Sequence, residues 1–265
     1  MTTSISDFQA ALLPYFERFR QTLATEQGDW VVKGFIDVYR NIYTLSVDTK
    51  VVSKIIELLL FPVISEFSIM HGYKLVLAEH QNYYPDISLI APDGVKIAVD
   101  FKSTYKINPN RVSGFTLGAF TGYFRQRQSA KNIMFPYQEY AAHFVLGVIY
   151  ARSDEFVDER RIYTLDDLQD IVSVVNAFEF LLQEKWRIAS DKPGSGNTKN
   201  IGSVRDMEAL LSGAGPFAPY GQEIFDDYWM NYLTKDMAQA IDLEEPPYRN
   251  LDEYWAWRER APRRK

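Results

Sequence analysis

Apolar positions along the chain switch between a helical period and a two-residue period, and the switches mark its elements. Residues 1–25 carry Ala10, Leu12, Leu13, Phe16 and Phe19, a stripe that predicts an amphipathic helix, set on a core or against a second subunit. Residues 29–45 are rich in β-branched and aromatic side chains and predict one or two short strands. Asp48 is a good N-cap for a helix reaching about Phe61, with Val52, Ile55, Ile56 and Leu59 on its core face and Pro62 as its end. A second short helix over 63–71 stops at Gly72, and 73–79 alternates as a strand. Farther on, 103–114 reads as a polar, basic loop and 137–142 as helical. Segments 144–150 and 178–189 read as strands, and 225–257 as helical stretches carrying Trp229, Tyr232, Tyr254 and Trp255.

The most informative pattern lies between these. Residues 86–90 alternate, then Ala91-Pro92-Asp93-Gly94 signals a turn, then 97–102 alternate again. Ile97, Val99 and Phe101 fall on one face of the second strand, and Ala98, Asp100 and Lys102 on the other. If Ala91 pairs with Val95 across a three-residue loop, Gly94 takes the left-handed position and Asp86 comes to lie opposite Asp100. A two- or four-residue turn would send the two aspartates to opposite faces. Paired carboxylates repel, and a divalent cation relieves this better than one lysine does. Hard carboxylate oxygens suit Mg²⁺, and Lys102 beside them could polarise a phosphate oxygen or orient a water. That is equipment for metal-assisted phosphodiester hydrolysis. A surface hairpin carrying Asp and Lys by chance is the plain alternative. Glu57, among apolar neighbours on the preceding helix, is either on a solvated face or a third carboxylate for the metal.

Composition narrows the class. Of 265 residues, 46% are hydrophobic and 15% aromatic, enough for a globular core. The chain has no cysteine, which excludes disulfides and thiolate zinc sites and fits a reducing compartment. The N-terminus lacks the features of a signal peptide, and no apolar run is long enough to span a membrane, so a cytoplasmic protein is expected. Net charge is −6, a mild argument against nucleic acid, but the distribution opposes it. From Gly94 to Gln138 the only acid is Asp100, amid Lys96, Lys102, Lys106, Arg111, Arg125, Arg127 and Lys131. An acidic protein can still offer phosphates a positive groove.

The stretch from Asp191 to Asn200 is glycine-rich and polar, and lacks the order of a phosphate-binding P-loop. Its Asn and Thr side chains suit the reading of base edges in a DNA major groove; a flexible surface loop is the alternative. His71, His80 and His143 show no ligand spacing, and His143 reads as a core residue.

Pro85-Asp86 followed by Asp100-Phe101-Lys102 is similar to the signature of the PD-(D/E)xK nuclease superfamily. Further blocks resemble its EcoRV-like type II restriction endonucleases: 48–53, 71–86, 96–105, 114–121, 131–143 and above all GSGNTKNIGS at 194–203. The resemblance implies an α/β restriction-endonuclease-like fold, a central mixed β-sheet flanked by helices, acting as a U-shaped homodimer. It implies one endonuclease domain, with about 1–45 for dimerisation, about 46–150 as the catalytic core and about 175–265 for DNA recognition. It implies Mg²⁺-dependent cleavage of double-stranded DNA at a palindrome, with GATATC cut blunt at its centre, beside a methyltransferase of the same specificity. Asp86 and Asp100 match metal-binding aspartates, Lys102 a catalytic lysine and Glu57 an accessory carboxylate. Gly194, Ser195, Gly196, Asn197 and Thr198 match a major-groove recognition loop, and Gln81 and Asn82 a minor-groove loop. Thr49, Ser53, Thr104, Thr116 and Lys131 match other DNA-contacting positions. The chain departs from the pattern at His80, in a catalytic turn shorter by two residues, and near Trp229, where Met230, Thr234 and Gln239 replace an arginine-rich stretch. A repair or junction nuclease of the same superfamily, a DNA-binding protein without catalysis and a two-carboxylate glycosidase stay open as rivals.

Overall fold

A computed structural model describes residues 4–80, 82–194 and 199–260. In chain order the helices are α1 (Ile5–Leu12), α2 (Phe16–Leu23), α3 (Thr49–Met70), α4 (Lys185–Ile188), α5 (Met207–Ser212), α6 (Gln222–Asn231), α7 (Lys235–Gln239) and α8 (Leu251–Arg260). The strands are β1 (Gly34–Ile36), β2 (Ile42–Thr44), β3 (Lys74–Leu77), β4 (Ile87–Ile90), β5 (Lys96–Asn108), β6 (Arg111–Val112), β7 (Thr116–Ala119), β8 (Tyr140–Arg152), β9 (Ile162–Tyr163), β10 (Val175–Glu184), β11 (Ala189–Pro193) and β12 (Asn200–Ser203).

The central sheet runs β10-β8-β5-β4-β3, with β6 paired to β5. It is mixed: β5 and β8 are parallel and the other neighbours on this path antiparallel. Parallel strands are covered on both faces, and β8 accordingly reads as an unbroken apolar run, Phe144-Val145-Leu146-Gly147-Val148-Ile149-Tyr150. One face packs on α1, α2 and α3 through Phe8, Leu12, Phe19, Ile56, Leu60 and Phe67. The other packs on a second core built by the C-terminal helices and the small sheet β11-β12-β7. Trp229, Tyr228, Tyr248 and Tyr254 are fully buried there, so many of the abundant aromatics serve the core. A third small sheet, β1-β2-β9, stands apart with its own cluster of Ile42, Tyr163 and Ile171.

Several sequence expectations change. The N-terminal stripe is Phe8, Leu12, Phe19 and Leu23, with Leu13 and Ala10 outward, because a 3-10 turn at Leu13–Tyr15 rotates the second helix against the first. Pro62 does not end its helix: 49–70 is one helix, capped by Asp48, which accepts from the N–H groups of Lys50 and Val51. The proline lies on the exposed side with Leu58, whose carbonyl loses its partner toward water, while Leu60, Val63, Ile64 and Phe67 anchor both halves. Segment 103–114 is mostly strand, since β5 continues beside β8 as far as Tyr105 and turns back into β6. Segment 137–142 is a 3-10 turn leading into β8, where pairing with β5 overrides helical propensity. The strand expected over 178–189 ends at Glu184, and the helical turn α4 sends Lys185 and Ile188 into the second core. Among the described residues no helix is long and apolar enough to cross a membrane.

Candidate active site

The β4–β5 hairpin sets the carboxylates. Ala91 N–H donates to the Val95 carbonyl at 2.9 Å and Gly94 N–H to the Ala91 carbonyl at 2.9 Å, closing a three-residue loop. Gly94 has φ +88°, a left-handed conformation that side chains resist. Ile90 faces Lys96 and Ile87 faces Val99. This register carries Asp86, one residue before β4, to the level of Asp100. Their carboxyls come within hydrogen-bonding reach of each other. Asp86 is held further by the Phe101 N–H, which donates to its Oδ2 at 2.7 Å.

Lys102 completes the group. Its Nζ stands 2.6 Å from Asp100 Oδ2 and 3.9 Å from Asp86 Oδ2, and donates to the Phe101 carbonyl at 3.1 Å. Three oxygens thus converge on one positive charge. Asp100 is buried, since Ala98 and Val145 beside it belong to the second core. The Asp86 side chain is 32% exposed and opens to water. Burial first, and the neighbouring Asp100 charge second, push the Asp86 carboxyl up to about 7, with Lys102 pulling the other way. For Lys102, burial favours the neutral amine, but Asp100 and Asp86 outweigh it and raise its pKa above the ordinary value.

The ammonium marks where a cation is stabilised: two carboxylates and a backbone carbonyl are hard oxygen donors of the kind Mg²⁺ takes. The donor set therefore fits such an ion. Glu57 does not join it. That side chain pairs with Lys54 at 2.7 Å and lines, with Ser53, Phe101, Lys102 and Ser103, a cavity of about 50 Å³ between α3 and β5. Among the described residues no group of three or more His, Asp or Glu side chains could hold a metal.

A separate cleft of about 610 Å³ gathers Thr49, Thr116 and Gly194 from three distant segments. Lys192 and Arg205 also line it; their sequence signal is the stretch 187–205, where Arg187, Lys192, Lys199 and Arg205 stand against the single acid Asp191. The glycine-rich segment is tied at its base: Gly194 N–H donates to the Asn200 carbonyl at 2.8 Å. Upstream, the Asp191 carbonyl accepts from the Tyr228 hydroxyl at 2.6 Å and its Oδ2 from the Leu251 N–H at 3.1 Å. Ser195, Gly196, Asn197, Thr198 and Gln81 lie outside the described residues. Asn82 and Lys131 are exposed, and Ser53 is hydrogen-bonded to Ser103 at 2.6 Å. Thr104 is buried in β5, so this expected DNA contact is not on the protomer surface. His143 is a core residue as expected: the Tyr84 hydroxyl lies 2.9 Å from its Nδ1, Tyr137 stacks on it at 3.9 Å, and burial keeps it neutral.

The family model described as Restriction endonuclease EcoRV matches residues 26–259. The chain is also 36% identical, over 238 residues, to the type II restriction enzyme EcoRV of Escherichia coli, covering 89% of this chain and 94% of that protein. With a paired-carboxylate hairpin in a mixed sheet behind those matches, the chain belongs to the EcoRV restriction endonuclease family, enzymes that hydrolyse DNA at specific sites.

Proposed function

We propose that this endonuclease cuts both strands of GATATC bluntly at the centre, with Mg²⁺, as a homodimer. In the cell it is paired with a methyltransferase that protects the same site, and both act in the cytoplasm. The observation that carries the chemistry is the convergence of Asp86, Asp100 and Lys102 at one end of the sheet. Asp86 and Asp100 would hold the ion, with the Phe101 carbonyl as a neighbouring oxygen. When bound, Mg²⁺ supplies positive charge for the phosphate and lowers the pKa of a water. Lys102 presents a permanently charged donor beside the carboxylates, fit to bind a phosphate oxygen and orient the attacking water. Phe101 N–H, donating to Asp86 Oδ2, helps hold that carboxylate in place. Glu57 is assigned an accessory part acting through Lys102, whose charge it reinforces across the small cavity.

Recognition is assigned to the segment Gly194 to Thr198, of which Gly194 lines the cleft with Thr49 and Thr116, with Asn82, Gln81, Ser53 and Lys131 as flanking contacts. The near-identity of this segment to the family's major-groove loop supports GATATC, and the flexible TA step at its centre is cheap to bend. The catalytic part is about 46–150 and the recognition part about 175–265. A palindromic site requires two-fold symmetry. Helices α1 and α2 are spent on the protomer core, so the pairing surface of the first 45 residues is assigned to β1-β2-β9. There Phe35, Ile36, Val38, Tyr39 and Ile162 are exposed.

The test is to incubate the protein with plasmids containing or lacking GATATC, with Mg²⁺ or EDTA, and to map the ends. Linear product with blunt ends at the site, only with Mg²⁺, is expected. Cutting of the plasmid without the site, or cutting in EDTA, would overturn the reading.

A further inference from the structure

Lys185 belongs neither to the carboxylate group nor to the cleft, yet it is 2% exposed. It opens α4 and points into the second core, and its Nζ has no hydrogen-bond partner among the described residues. Its surroundings are rings: the centroids of Tyr84, Phe124 and Tyr137 stand 5.2, 5.5 and 5.9 Å from the ammonium. Gly118, at φ +87°, makes the room; a Cβ there would lie 3.0 Å from the Tyr123 hydroxyl and 3.6 Å from Lys185 Nζ. Ring faces recover part of what an ammonium loses on leaving water, but an uncompensated buried charge remains costly.

Two observations connect this lysine to the carboxylates. The strongest attraction it feels comes from Asp100, ahead of Asp226, which is itself paired with Arg127 at 2.8 Å; Lys102 and Arg127 repel it. Burial pulls its pKa down to about 8, so it is still mostly charged at neutral pH. Second, the ring it faces at 5.2 Å is that of Tyr84, two residues before Asp86. Tyr84 is fixed on both sides: its N–H donates to the Asn132 carbonyl at 3.1 Å and its carbonyl accepts from Met134 N–H at 2.9 Å.

We propose that Lys185 is a positioning residue for the carboxylate site: its buried charge sets the potential behind Asp100, its contact with Tyr84 steadies the segment entering Asp86, and the fold yields stability to keep it there. The inference rests on the assignment of Asp86 and Asp100 as cation ligands. Its sign follows from charge. Removing a buried positive charge from behind the carboxylates favours a divalent cation between them.

Mn²⁺ binding to the full chain at neutral pH, followed by paramagnetic resonance, tests this, alongside melting curves in EDTA. Lys185→Met keeps the length and removes the charge. It is expected to bind Mn²⁺ on the order of tenfold tighter and to melt higher without metal, as when buried ions give way to apolar side chains. Unchanged affinity overturns the proposal. A variant that melts lower or does not fold also overturns it, because the ammonium would then be a structural necessity. An unaltered protein that binds Mn²⁺ no better than Asp86→Asn would instead sink the ligand assignment beneath it.

Discussion

Asp86 and Asp100 are the same residue type at one level of adjacent strands, yet their surroundings divide them. Asp100 is buried with Lys102 at 2.6 Å, whereas Asp86 is partly exposed and stands 3.9 Å from that ammonium. Burial first, and then the Asp100 charge, raise the Asp86 pKa. A raised carboxyl pKa means that the folded protein holds this proton more tightly than the unfolded chain, where the value is about 3.9. The stabilisation is complete below that value and is lost as pH rises through about 7. Metal-free protein should therefore lose stability across this window, and Asp86→Asn should flatten the loss. Melting temperature against pH in EDTA for both proteins measures this; parallel curves would refute the raised pKa. The same variant should cut DNA about 10³-fold more slowly, the scale of several kcal/mol lost from the transition state. Retention of its fold separates that loss from unfolding.

At the scale of elements, the hairpin decides whether the two carboxylates meet. Its loop depends on Gly94, and a Cβ there would meet nothing within 4 Å, so the cost of replacing it is conformational alone. Gly94→Ala should destabilise by about 1 kcal/mol, read as a fall of roughly 2–4 °C in Tm by calorimetry. An unchanged Tm would mean that the turn tolerates the substitution by another geometry. This hairpin was legible in the sequence because side-chain alternation and an even separation of Asp86 and Asp100 leave few registers. Helix 49–70 was legible at its start, where Asp48 caps it, but not at its end. Whether Pro62 breaks a helix depends on whether packing holds both halves, and Leu60, Val63 and Phe67 supply that only in the folded molecule. The misread segment 137–142 has the same cause, since β8 acquires its strand form from β5 beside it.

For the whole molecule, the N-terminal helices close the first core and leave β1-β2-β9 standing out with an apolar face. Val38 and Tyr39 are 89% and 83% exposed, which costs a lone protomer solubility and suits a partner. Ile36→Glu with Val38→Glu should leave the protomer's stability within about 0.5 kcal/mol and convert a dimer to a monomer in sedimentation. Because one protomer holds one carboxylate site, the monomer should also lose concerted cutting of both strands. A variant that still sediments as a dimer would move the interface elsewhere.

What the sequence determined by itself was local: alternation, the turn, the cap and the motif that places two aspartates and a lysine on one face of a hairpin. Those depend on interactions within a few residues, and they carried the chemistry; the fold class came from the resemblance of the longer blocks to a known family. The tertiary structure decided what depends on distant partners. It buried Thr104, turned Glu57 toward Lys54, and gathered Thr49, Thr116 and Arg205 around one cleft. It also brought Lys185 from the far side of the chain to within the field of Asp100, a coupling that no spacing in the sequence encodes.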